Sequence, residues 1–123
     1  MKKKPSAKPV AKPASKRKTA KKVAPVTLGE FQAHIHKKYY AADSARGTPG
    51  TFMWLVEEVG ELATALQKSA GEGGNTSGHS DPAGEFADVL AWLCTLANIN
   101  GVDLEAAVRE KYLGAGGGPA GVK

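Results

Sequence analysis

Beyond residue 26, apolar residues recur every three or four positions, the period of a helix rather than a strand. LGEFQAHIHKKYYAA predicts a first helix over 28–42, entered at Thr27. Thr27 and Glu30 have the Thr-x-x-Glu spacing of a capping box, in which each side chain satisfies a backbone N–H that the first turn leaves without a partner. ARGTPG follows, and its two glycines and proline predict a loop. Phe52, Leu55, Val59, Leu62 and Leu66 then fall on one stripe of a second helix over 51–69. GEGGNTSGHSDPAG breaks the chain again. Asp81 before Pro82 supplies the N-cap and first residue of a third helix running to 99, with Phe86, Val89, Leu90, Leu93 and Ala97 as its stripe. Asn100 and Gly101 end it, and Asp103 caps a fourth helix in LEAAVREKYL. GAGGGPAGVK is too rich in glycine for regular structure. No stretch alternates with period two, so the expected fold is all-α, a bundle of about four helices.

Composition divides the chain into three parts. Residues 1–25 are Lys, Ala, Pro and Ser with almost nothing to bury, and prolines at 5, 9, 13 and 25 interrupt any helix; a disordered basic tail is expected there. Residues 26–113 form the helical domain, and 114–123 a flexible Gly-rich C-terminus. The formal charge of +5 hides the contrast: residues 1–22 hold ten of the 17 Lys and Arg and none of the 12 Asp and Glu, so the remainder is acidic. Residues 2–22 can neutralise nucleic-acid phosphates without reading sequence; a merely solubilising extension is the plainer reading. A domain this small buries a modest core, which makes an oligomer a live option. The single cysteine, Cys94, forms no internal bridge, so nothing requires an oxidising compartment. No apolar run approaches the roughly 20 residues that span a bilayer, and no apolar signal core follows the basic N-terminus. A cytoplasmic protein without membrane contact is expected.

WLVEEVGELATALQK changes the picture, because it sets Glu57, Glu58 and Glu61 in an otherwise apolar run. At about 100° per residue, Glu58 and Glu61 lie at about 90° and 150° to one side of the second stripe, and Glu85 and Asp88 take nearly the same offsets on the third. If the two helices pack antiparallel, a local two-fold axis brings the four acids to one groove. Like charges so close repel and raise a pKa; a divalent cation reverses the sign. Mg²⁺ takes oxygen ligands and retains waters or substrate phosphates, which suits such a groove. Thiolate sites are disfavoured, since His34, His36 and His79 have no matching cysteines. The ordinary reading of either pair alone is a solvated helix face.

EEVGEL at 57–62 and EFADVL at 85–90 give Glu-Glu-x-x-Glu, a gap of 23 residues and Glu-x-x-Asp. This pattern, with TFMWLVEEVGELATAL, DVLAWLCTLANINGVDLEAAV and REKY around it, resembles the MazG-like all-alpha nucleotide pyrophosphohydrolases from about Phe31 to Tyr112. The resemblance implies a helical bundle completed by dimerisation, as a homodimer or homotetramer. It implies Mg²⁺-dependent hydrolysis of a nucleoside triphosphate to monophosphate and pyrophosphate, with Mn²⁺ as a substitute, in nucleotide-pool clearance. Glu58, Glu61, Glu85 and Asp88 match the metal-ligand positions, and Glu57 completes the catalytic set by orienting a ligand or the attacking water.

The nucleoside side is less sharply marked. Trp54 and Trp92 lie on the acidic flank and can stack on a base, although buried packing is the commoner fate of such residues. Phe31, Gln32 and His36 can face the nucleoside, against the alternative of a plain surface helix. Lys111 matches a basic residue at the end of the family's last helix, where a lysine also complements the helix dipole. Many relatives continue with polar and basic residues where this chain turns to glycine, so phosphate grip is expected to be weaker or to come from another subunit. Two other readings stand beside the enzyme: a noncatalytic helical dimerisation module tethered to nucleic acid by its tail, and a degenerate relative that binds nucleotide without turning it over.

Overall fold

A computed structural model describes residues 22–71 and 81–114. The tail through residue 21, the stretch 72–80 with His79, and residues 115–123 lie outside it, and so do the expectations placed on those stretches. The described residues form three helices and no strand: α1, Leu28–Ser69; α2, Pro82–Ile99; and α3, Leu104–Tyr112. Each start is capped as its sequence dictates. Thr27 Oγ1 accepts from Glu30 N at 3.0 Å while Glu30 Oε2 accepts from Thr27 N at 2.8 Å. Asp81 accepts from Ala83 N at 3.1 Å with Pro82 in the first turn of α2, and Asp103 accepts from Ala106 N at 2.9 Å.

The loop expected at ARGTPG is instead a kink within α1. Gly47 alone leaves the helical region, at φ 79° and ψ 174°, and helical geometry resumes immediately. A positive φ of this kind favours glycine. The break also accommodates Pro49, whose ring in a continuous helix would strike the carbonyl of residue 45 and whose missing N–H falls where a new first turn needs none. The first two expected helices are therefore two arms of one element.

The second arm and α2 run antiparallel. Thr48 Oγ1 donates to Asn100 Oδ1 at 3.2 Å at one end, and Trp54 stacks on Trp92 further along, ring centroids 5.9 Å apart. A polar bolt closes the other side of the domain. Gln32, nearly buried, donates from Nε2 to Asn98 Oδ1 at 3.0 Å and to the Val102 carbonyl at 2.7 Å, and its Oε1 accepts from Leu104 N at 2.9 Å. Asn98 Nδ2 donates back to the Gln32 carbonyl at 3.2 Å. Beside it Glu105 Oε2 accepts from Gly29 N at 2.7 Å, placing an anion on the positive N-terminus of α1. A Cβ at Gly29 would come within 2.8 Å of that oxygen, so glycine permits the approach.

The apolar stripes do not form the core in the way their spacing suggests. Apart from Ile35 and the polar Gln32 and Asp43, the buried side chains among the described residues are small: Thr51, Ala65, Cys94, Thr95 and Ala97. Phe52 and Phe86 are each 54% exposed, Val59 48% and Leu93 42%. Within the chain, α1 turns inward a face shifted by about one residue, with Thr51, Leu55, Glu58, Leu62 and Ala65 buried or half-buried. Small residues let the helices approach closely, and the bulky half of each stripe is left facing out. Among the described residues no helix is long and apolar enough to cross a membrane.

Candidate functional site

The antiparallel contact carries the acids of α1 onto those of α2. Glu58, Glu61 and Glu85 each present an oxygen, and the three lie within 4.8 Å of one another. Among the described residues none of them forms an ion pair with Lys, Arg or His; the two ion pairs are Arg46 with Asp43 and Arg109 with Glu105. Three acids from two helices thus share a small space with no ion-pair partner among the described residues. Asp88, one turn beyond Glu85, stands outside this close set and is exposed. Its influence nevertheless reaches Glu58, whose carboxyl is raised above its ordinary value by burial first and then by the charges of Asp88, Glu61 and Glu85, against a hydrogen bond from Trp92 that lowers it. Glu57 points away from the packed face and is exposed.

Beside the acids, Trp92 Nε1 donates to Glu58 Oε1 at 3.3 Å. The Trp54 and Trp92 rings stack nearly parallel, 10° apart, so the two tryptophans pack on each other, and Trp54 remains 46% exposed. A cavity of about 360 Å³ opens next to them, bordered by Tyr39, Asp43, Arg46, Asp88, Trp92 and Thr95. Asp43 and Arg46 are absent from the set that the sequence marks. Arg46 Nη1 donates to buried Asp43 at 3.1 Å and to fully buried Thr51 at 3.3 Å, and its guanidinium carbon sits 5.2 Å from the Trp92 ring centre. Reading ARGTPG as a loop hid them; the available signal was the Asp43-x-x-Arg46 spacing at the end of a helical run, where the two side chains share a face.

The first-helix candidates are not gathered at the acids. Gln32 has its amide engaged in the bolt to Asn98, Val102 and Leu104. His36 is exposed and stacks on Tyr40, centroids 4.1 Å apart, at the edge of a second cavity of about 350 Å³ that none of the four groove acids lines. Phe31 is half-buried. Lys111 is exposed on α3, its Nζ 5.6 Å from the neighbouring Tyr112 ring. Cys94 is fully buried, and burial pushes its thiol up, which suits packing rather than nucleophilic attack.

Comparison with known proteins fixes what this arrangement belongs to. The family model described as the MazG nucleotide pyrophosphohydrolase domain matches residues 48–112, more than half of the chain and all of the elements that carry the acids. The chain belongs to the MazG family. A dATP/dGTP diphosphohydrolase of Cyanophage S-2L is 34% identical over 87 residues, 71% of each protein. Two crystal structures of iMazG from Vibrio DAT 722, tagged at opposite ends, superpose with TM-scores of 0.56 and 0.55 at 36% and 39% identity. They cover 69% of this chain and 92% and 87% of their own. This MazG chain is accordingly an all-helical nucleotide pyrophosphohydrolase, and the noncatalytic tethered module is not favoured. The MazG match begins at residue 48, just past the kink, so the first arm with Asp43 and Arg46 lies outside it.

Proposed function

We propose that this MazG enzyme hydrolyses a nucleoside triphosphate to monophosphate and pyrophosphate with Mg²⁺, with Mn²⁺ as a substitute, clearing excess or non-canonical nucleotides in the cytoplasm. The observation that carries the reading is the convergence of Glu58, Glu61 and Glu85 oxygens within 4.8 Å. The donor set fits the ion: every ligand atom is a hard carboxylate oxygen, and among the described residues no ion pair neutralises them. Glu58, Glu61 and Glu85 would hold the cation, with Asp88 completing the groove. When bound, such an ion supplies a neutralising charge for the triphosphate and an acidified water. Glu57, free of the packed face, takes the supporting role of orienting the attacking water. The cavity beside Asp88 and Trp92 gives the nucleoside room next to the acids.

A second copy of the chain completes the bundle in this reading. Phe52, Val59, Phe86 and Leu93 leave much of their apolar surface exposed, and a homodimer, or a tetramer built from it, would cover it. The Cyanophage S-2L relative makes dATP and dGTP the first substrates to try. Residues 2–22 supply positive charge for phosphates; deletion of 1–25 that leaves both the KM and the salt dependence unchanged would remove them from the account. The test of the reaction itself is product analysis over a panel of canonical and modified nucleoside triphosphates. Monophosphate and pyrophosphate in equal amounts, abolished by chelator and restored by Mg²⁺, are expected. Release of inorganic phosphate alone, or of nothing from any nucleotide, would overturn it.

A further inference from the structure

Of the three clustered acids, Glu58 is the one that a side-chain donor holds among the described residues: Trp92 Nε1 meets its Oε1 at 3.3 Å, while its second oxygen has no such donor. The indole is itself held. Trp54 stacks against it at 5.9 Å, and the Arg46 guanidinium stands 5.2 Å from its ring centre. Arg46 does not move freely, because one nitrogen binds both Asp43 and Thr51, side chains that are 7% exposed and wholly buried respectively. The chain of contacts therefore starts on both sides of the Gly47 kink, crosses to α2, and ends on an acid of the cluster.

We propose that Trp92 is a positioning residue that fixes the orientation of Glu58 for cation binding, and that Arg46, anchored by Asp43 and Thr51, fixes Trp92 in turn. Outer groups that orient a metal ligand commonly change metal affinity by about 10–100-fold. A flat guanidinium suits contact with an aromatic ring in a way a lysine ammonium does not. The inference rests on the assignment of Glu58, Glu61 and Glu85 as cation ligands made above. It adds a device by which the first arm of α1, which supplies none of the acids, governs the site.

The experiment is Mn²⁺ binding to nucleotide-free protein, read from the electron paramagnetic resonance of free Mn²⁺. Trp92→Phe keeps an aromatic ring and removes the N–H; it is expected to weaken binding by about tenfold or more. Arg46→Gln should weaken it less, and the double variant should be no worse than Trp92→Phe alone, because both act through one contact chain. In turnover, the loss should shrink as Mg²⁺ is raised. Wild-type Mn²⁺ affinity in Trp92→Phe, with binding lost in Glu61→Gln, would overturn the positioning role and leave the cation site standing. Unchanged binding in Glu61→Gln as well would overturn both. Should Trp92→Phe fail to fold, Trp54→Phe leaves Trp92 as the sole tryptophan. Mg²⁺ should then shift its emission, and adding Glu61→Gln should remove the shift; an emission indifferent to Mg²⁺ would overturn the proposal.

Discussion

Two polar clusters are built between α1 and the α2–α3 region, and they obey opposite rules. At Gln32 and Asn98 each amide finds partners: the Gln32 side chain donates twice and accepts once, and Asn98 returns a bond to the backbone. Nothing there carries charge, and nothing is left over. At Glu58, Glu61 and Glu85 three acids meet with one indole N–H among them and no ion-pair partner among the described residues. A satisfied buried network rigidifies a fold, whereas an unbalanced one costs stability until something compensates it. The first cluster therefore reads as glue and the second as a place kept for a cation.

Breaking the glue should give the largest stability effect. Gln32→Ala strips the bonds to Asn98, Val102 and Leu104, and unsatisfied buried groups cost about 1–3 kcal/mol. For a domain of this size that corresponds to a fall in Tm of roughly 4–8 °C per kcal/mol, measurable by circular dichroism, with the Mg²⁺ requirement of the remaining folded enzyme unchanged. Next comes the outward apolar face, the third kind of surface. Phe86→Ala is expected to weaken self-association by about 30-fold, the effect of losing a hot-spot residue of about 2 kcal/mol, and sedimentation equilibrium should show monomer growing at its expense.

The smallest effect sharpens the contrast most, because its sign is opposite. Glu58 has its folded-state carboxyl raised, so the folded chain takes up that proton before the unfolded chain does. Its contribution to stability is present below the ordinary glutamate range and is lost as pH rises through the raised value. At neutral pH, without metal, Glu58→Gln should therefore raise Tm slightly, by about a few degrees at most. The gain should vanish as pH falls into the ordinary glutamate range. Adding Mg²⁺ should reverse the order, stabilising wild type and not the variant, since a ligand stabilises only the state that binds it.

Much of this is legible in the sequence. Caps at Thr27, Asp81 and Asp103 marked helix starts because the side-chain oxygen of each accepts from a specific backbone N–H. Matched angular offsets placed Glu58 and Glu61 against Glu85, since helix geometry is rigid enough to carry a flank across an antiparallel contact. Asp88 was placed less well: one more turn along the helix moves an oxygen outside the close set while leaving its charge within reach of Glu58. The ARGTPG turn was misread because a single glycine at positive φ suffices to relieve the proline, which composition alone does not distinguish from a loop. Phe52, Val59, Phe86 and Leu93 were read as apolar stripes, and within one chain they stay exposed, for periodicity tells which side avoids water and not which molecule covers it. Gln32 looked like a surface contact for a nucleoside because its partners Asn98, Val102 and Leu104 are about 70 residues away.

The central claim is that the three converging carboxylates hold the cation on which hydrolysis depends. The most direct measurement is pyrophosphate release from dGTP and dATP as a function of Mg²⁺ concentration, wild type beside Glu61→Gln, with folding of both verified. Saturable Mg²⁺-dependent release in the wild type, reduced at least about 100-fold in the variant, is the result expected, since outer partners of a metal ligand alone are worth 10–100-fold. Equal Mg²⁺-dependent release from both proteins would contradict it.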